Sequence, residues 1–164
     1  DLHVKMDGES CSADIQGLYL PNTGEQVDNR VFVEHAKPNC VSNELFKGVL
    51  DGNGSSIFNG HILVALDAQK TNAYQTNRNI VLSDEANAFA KPFLEIYADD
   101  VKCSHGATIG QLDQNALFYL RSRGLSEDTA KSFLIRAFVG EVIANCTHEG
   151  FRKLIEEKVD QKLN

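Results

Sequence analysis

The sequence predicts a mainly β domain followed by a small α-helical one, on three observations. From Leu2 to about Gly110 the chain is made of short runs of β-type residues. Clusters of Gly, Asn, Asp and Pro punctuate those runs, and no segment among them has a helical period. A helical period starts only at about Leu112. The division is therefore 1–111 for the β domain and 112–164 for the helical one.

Taken in order, the strand-like runs include Val31-Phe32-Val33, Ile62-Leu63-Val64, Ile80-Val81-Leu82 and Phe93-Leu94-Glu95-Ile96-Tyr97. Turn signals fall between them at Pro21-Asn22-Thr23-Gly24, Pro38-Asn39, Asp51-Gly52-Asn53-Gly54 and Ser83-Asp84-Glu85. A sandwich, a barrel and a parallel β-helix all accommodate this pattern. The spacing of the runs is too irregular to reveal a coil repeat.

In the tail, Leu112, Ala116, Tyr119 and Leu120 recur at helical spacing, with Asp113 as N-cap and Gly124 as the stop. Ser126 caps a longer helix whose first turn holds Glu127 and Asp128, where negative charge suits the helix dipole. Its expected buried stripe is Ala130, Phe133, Leu134, Ala137, Phe138 and Val142. Thr147 is the expected cap of a third helix, with Phe151, Leu154, Ile155 and Val159 inward.

Composition narrows the function. The chain has 16 basic and 23 acidic residues, a formal charge of −7, which argues against nucleic acid or an anionic membrane as partner. No apolar run approaches the roughly 20 residues of a membrane-spanning helix. The four cysteines, Cys11, Cys40, Cys103 and Cys146, are widely spaced with no C-x-x-C pair, so reduced thiols in a cytoplasmic protein are expected. The opening Asp1-Leu2-His3-Val4 has strand-like residues already running, as expected of a fragment of a longer protein. The N-x-S/T matches at Asn53 and Asn145 carry no weight in a cytoplasmic chain.

Cys103 and His105 are the first candidate site. Alternate residues of a strand share a face, roughly 6.6 Å apart at about 3.3 Å per residue. A thiol and an imidazole together suit zinc or iron–sulfur chemistry, but they are half of a four-ligand set, so the rest comes from elsewhere, another chain included. For an arbitrary C-x-H the bland alternative is a buried thiol beside a hydrogen-bonded histidine. Asp99-Asp100 offers adjacent carboxylates for general acid–base cleavage of a polysaccharide, although neighbours on a strand face opposite ways and a solvated turn fits them better. Asp51-Gly52-Asn53-Gly54-Ser55-Ser56 opens like a calcium loop but has Ile62 where the twelfth-position Glu belongs, so it reads as a turn. His61 reads as a satisfied strand-start histidine, and no Walker A, H-E-x-x-H or Ser-His-Asp pattern is present. Arg121, Arg123, Lys131 and Arg136 form a charged helical face, either solvated or used for docking.

Three stretches resemble the SufB/SufD family of the Suf iron–sulfur cluster assembly machine. They are Gln69-Lys70-Thr71-Asn72-Ala73-Tyr74-Gln75-Thr76-Asn77-Arg78-Asn79, the run Lys91 to Thr108 with Lys102-Cys103-Ser104-His105-Gly106, and Phe118-Tyr119-Leu120-Arg121-Ser122-Arg123-Gly124. The likeness covers about Ser55 to Val142, fits loosely upstream to about Leu50, and is closer to the SufD branch than to SufB.

The resemblance implies a right-handed parallel β-helix followed by a C-terminal helical domain. It implies a non-catalytic scaffold that pairs with a SufB-like subunit through the β-helix and docks a SufC-type ATPase through the tail, with Arg121, Arg123, Lys131 and Arg136 as docking candidates. It places His105 and Cys103 at the shared interface, His105 as a ligand or sulfur-path residue and Cys103 as ligand or structural thiol. No cofactor is expected to bind this chain tightly alone; a transient iron–sulfur cluster belongs to the complex. ATPase closure that twists the tails and opens the β-helix pair is the expected drive. The family's N-terminal helical region has no counterpart here, so an open coil end and a homodimer of the fragment are expected. The competing expectations are a β-helix carbohydrate-active enzyme and an ATPase-binding module that never touches metal.

Overall fold

A computed structural model describes residues 1–163. Eight strands come first: β1 (Leu2–Met6), β2 (Ser12–Tyr19), β3 (Gln26–His35), β4 (Val41–Leu50), β5 (Ser55–Val64), β6 (Asn72–Val81), β7 (Asn87–Ile96) and β8 (Lys102–Gly110). Helices α1 (Gln114–Ser122), α2 (Glu127–Ala144) and α3 (Glu149–Leu163) follow. Each strand pairs in parallel with the next but one, giving one sheet of order β1-β3-β5-β7 and another of order β2-β4-β6-β8. The chain thus winds as a β-solenoid of about 4 turns, which decides among the three β architectures left open by the strand pattern.

A coil repeat is present after all. Paired residues lie 29 positions apart for Leu2 and Val31 or Gln26 and Ser55, 31 for Val41 and Asn72, and 32 for Ser55 and Asn87. The drift arises in the corners, which take four residues between β4 and β5 and seven between β5 and β6. Alternate residues point inward and are buried, as on β5, where Ser56, Phe58, Ile62 and Val64 alternate with half-buried neighbours. Val31, Val33, Phe46, Phe58, Ile62 and Val64 form the middle of the interior. Full burial of such side chains stabilises the fold by roughly 1.5–3 kcal/mol each.

The helical caps follow the sequence in two cases of three. Asp113 accepts from the backbone of Asn115 and Ala116, and Ser126 accepts from Thr129 N. Gly124 ends the first helical turn region at φ +94, a conformation most side chains avoid, with its N–H on Arg121 O and Leu125 N–H on Leu120 O. The third cap is His148 and not Thr147: its Nδ1 accepts from Phe151 N at 3.1 Å. An imidazole acceptor does what a hydroxyl would have done, one residue later.

The buried stripes differ in phase from the expected ones. On α2 the buried residues are Ala130, Ile135, Val139, Val142 and Ile143, while Phe133 and Ala137 are exposed. The helix is apolar on most sides, so periodicity alone does not choose its buried face. On α1 Leu117 is buried and Tyr119 exposed; on α3 Val159 is buried while Phe151 and Leu154 are exposed.

The tail shares a core with the solenoid. Ile135, Val139 and Ile143 of α2 and Val159 of α3 cluster with Val49 of β4, flanked by Leu18, Leu82 and Ile155. Lys47 of β4 is buried beneath α2. Its ammonium donates to Phe138 O at 2.7 Å, pairs with Glu141, and lies 4.5 Å from the centre of the Phe138 ring.

Candidate functional site

Cys103 and His105 lie on β8, the last strand of its sheet, in register with Ala73 and Gln75 of β6. Ala73 and Gln75 are inward residues, so both candidates occupy the inward-facing rows, two residues apart as the strand period requires. Cys103 is half-buried and packs against the solenoid interior. Burial pushes its thiol above the ordinary range, and a hydrogen bond with the backbone of Ala73 pulls the other way. His105 is exposed, because among the described residues no further strand follows β8 in the sheet.

The row that ends at His105 passes through the buried interior. Register aligns Ile15 of β2, Glu44 of β4, Gln75 of β6 and His105 of β8. Glu44 and Gln75 are both buried, and Gln75 Nε2 donates to Glu44 Oε2 at 3.0 Å. Burial pushes the Glu44 carboxyl up to about 7, with the Gln75 hydrogen bond acting against that shift. Gly60 of β5 leaves room for the amide: a Cβ there would sit 2.5 Å from it. Among the described residues Glu44 Oε1 and Gln75 Oε1 have no hydrogen-bond partner. The next rows hold Asn77 and Asn79, closed by Tyr19 in a ring of hydrogen bonds of 2.7–2.9 Å.

A second buried ionisable group sits at the end of β3. His35 Nε2 lies 2.8 Å from Ser42 Oγ, and burial pushes its imidazole down to about 4. Sequence reasoning missed Glu44, Gln75, His35 and Lys47 as interior groups. The alternation Ala73, Gln75, Asn77, Asn79 is a strand-period signal, but its polar members normally mark the solvent face.

The other sequence candidates are scattered. Asp99 and Asp100 are exposed in the corner between β7 and β8, where Gln69 Oε1 accepts from Asp100 N and Lys70 N donates to Asp100 O. Asp51 to Gly54 is a corner stacked on the preceding one, with Gly24 N donating to Asn53 Oδ1 at 2.6 Å. His61 is mid-strand on the outer face, between the rings of Phe32 and Phe93, with Glu95 Oε2 3.1 Å away. Of the charged tail residues, Arg121 and Lys131 both pair with Glu127, Arg136 pairs with Asp160, and Arg123 lies 5.2 Å from the Tyr119 ring centre. Among the described residues no three His, Cys, Asp or Glu side chains converge in a metal-holding group. No described helix is long and apolar enough to cross a membrane.

What the inward edge of β8 offers is one thiol and one imidazole open to whatever lies beyond the last coil. Comparison with known proteins identifies the family. The SufBD core domain of the SUF system for FeS cluster assembly matches residues 1–138, so the likeness extends through the upstream coils as well. The chain is 40% identical over 160 residues to the iron–sulfur cluster assembly protein SufD of Escherichia coli, covering 98% of this chain and 38% of that protein. It is 48% identical over 143 residues to an iron–sulfur cluster assembly SufBD family protein of Synechocystis, covering 87% of this chain and 32% of the relative. It is 32% identical over 174 residues to SufD of Bacillus subtilis, covering 99% of this chain and 40% of the relative. The chain therefore spans about two-fifths or less of the length of these relatives, and within that span it belongs to the SufBD family of iron–sulfur cluster assembly proteins.

Proposed function

We propose that the protein is a non-catalytic scaffold subunit of cytoplasmic iron–sulfur cluster assembly, pairing with a SufB-like subunit and docking a SufC-type ATPase. The observation that carries this reading is the position of Cys103 and His105 on inward rows of the terminal coil, where the row ends uncovered. Two ligands at an edge need the remainder of the set from a facing chain, and a second coil seated on β8 would supply it. The nascent cluster is cargo held between subunits; His105 is its ligand here, with Cys103 beside it. The helical tail is the ATPase-docking unit, with Arg121, Arg123, Lys131 and Arg136 on it. Movement of α2 reaches the solenoid through Lys47 and the shared apolar cluster, and closure of paired ATPases opens the β8 edge.

Co-purification of the full-length protein from its own cells tests the partners. A stoichiometric ATPase together with a SufB-like subunit supports the scaffold; recovery of the protein with neither contradicts it. Alanine at Cys103 and His105 then separates a cluster scaffold from a metal-free ATPase-binding module. In the scaffold, cluster assembly drops while the complex stays intact. A crosslink that locks the β8 edge to its partner and leaves assembly unimpaired would contradict the opening step.

A further inference from the structure

We infer that Gln75, held in place by Glu44, is a positioning residue for His105: with the β8 edge covered by a partner, the His105 ring donates one N–H to Gln75 Oε1 and turns its other nitrogen outward to the metal. The inference rests on the assembly role of His105 proposed above, and adds two residues and a hydrogen bond to it.

The geometry points this way in three steps. Register makes His105 the neighbour of Gln75 in the inward row, as Gln75 is of Glu44. The amide nitrogen of Gln75 is committed to Glu44 Oε2 at 3.0 Å on the side of the preceding coil. Its oxygen is thereby left as a buried acceptor without a partner among the described residues, 1% exposed as a residue, and confined by Gly60. A buried carbonyl left unpaired is destabilising, so a donor arriving from the next coil relieves a standing penalty. The residue that the next coil supplies in this row is His105, whose imidazole carries such a donor. A histidine bound to metal through one nitrogen generally donates the other N–H to a carbonyl or carboxylate, which fixes its tautomer and aim. Gln75 is placed to be that carbonyl, and Glu44 keeps the amide from turning over.

The test uses the full-length protein bound to its SufB-like partner, with nitrogen-15 histidine in this chain alone. Long-range nitrogen–proton correlations report the tautomer of the neutral His105 ring. In the unmodified protein one tautomer should dominate; in Gln75→Met the ratio should move about tenfold, the equivalent of one ordinary hydrogen bond. Glu44→Gln, whose amide oxygen still accepts from Gln75, should keep the original ratio, and Glu44→Met should behave as Gln75→Met does. If Gln75→Met fails to fold, the two Glu44 variants decide the matter by the same readout. Anaerobic iron(II) binding to the complex is measured alongside, with about 10–100-fold weakening expected in Gln75→Met. A tautomer ratio unchanged in Gln75→Met and Glu44→Met overturns the positioning role, even if His105→Ala loses iron. A tautomer shift with iron uptake indifferent to His105→Ala supports the hydrogen bond but overturns the assembly role on which it was built.

Discussion

The two walls of the solenoid face the same interior and are furnished differently. The wall of β1, β3, β5 and β7 contributes Val31, Val33, Phe58, Ile62 and Val64, with His35 and Ser56 as its buried polar members. The wall of β2, β4, β6 and β8 contributes Phe46 as well, but also Ser42, Glu44, Gln75, Asn77 and Asn79. Apolar burial is non-directional and tolerant; buried amides and a carboxyl are useful only when each finds a partner. The polar wall is the one that ends in Cys103 and His105 and the one that α2 and α3 cover from outside. Apolar packing thus dominates one side, while most of the buried polar groups and the proposed assembly residues lie on the other.

Phe58→Ala should give the largest loss, about 3–5 kcal/mol by denaturant unfolding, because it empties a fully buried site on the apolar wall. A loss no greater than that of Gln75→Met would erase the contrast between the walls.

The pH dependence of stability should sharpen the contrast next, with up to about 3 kcal/mol from each buried group. The Glu44 carboxyl is raised from 4.5 to about 7, so its contribution is fully present below 4.5 and is lost as pH rises to about 7. The His35 imidazole is lowered from 6.5 to about 4, so its contribution is fully present above 6.5 and is lost as pH falls to about 4. Between about 4.5 and 6.5 the two slopes oppose each other, and the unmodified protein should be nearly flat there. Glu44→Gln should expose a stability that climbs with pH across this window; His35→Gln should expose one that declines. Identical slopes in both variants would show that neither group titrates as its burial demands.

A smaller effect belongs to the junction with the tail. Lys47→Met should cost about 1–2 kcal/mol, since it gives up its bonds to Phe138 O and Glu141 but keeps the stem packing. Hydrogen exchange should rise in α2 before it rises in β5; a uniform rise would mean that the latch is not local.

Much of the architecture was legible in residue order. The corners at Pro21, Pro38, Asp51 and Ser83, the caps at Asp113 and Ser126, and the stop at Gly124 are local chemistry, and local chemistry is what a sequence displays. The coil repeat was hidden because corners of four to seven residues blur the spacing that the register restores. The buried face of α2 was hidden because Phe133, Leu134, Ile135, Phe138 and Val139 are apolar on adjoining faces, so only the solenoid surface selects among them. The pairing of Cys103 with His105 was readable from strand period. Glu44 and Gln75 were not, because their proximity depends on a separation of 31 residues and on an interior that inverts the usual placement of polar side chains.

The most direct measurement compares, for His105→Ala, the unfolding stability of the full-length protein without its partners with cluster formation in the intact complex. Exposed at the edge of β8, the ring should cost no more than about 0.5 kcal/mol when removed, while cluster formation falls at least about tenfold. Unchanged cluster formation, or losses of stability and assembly in proportion, would contradict the account and return His105 to an ordinary surface residue.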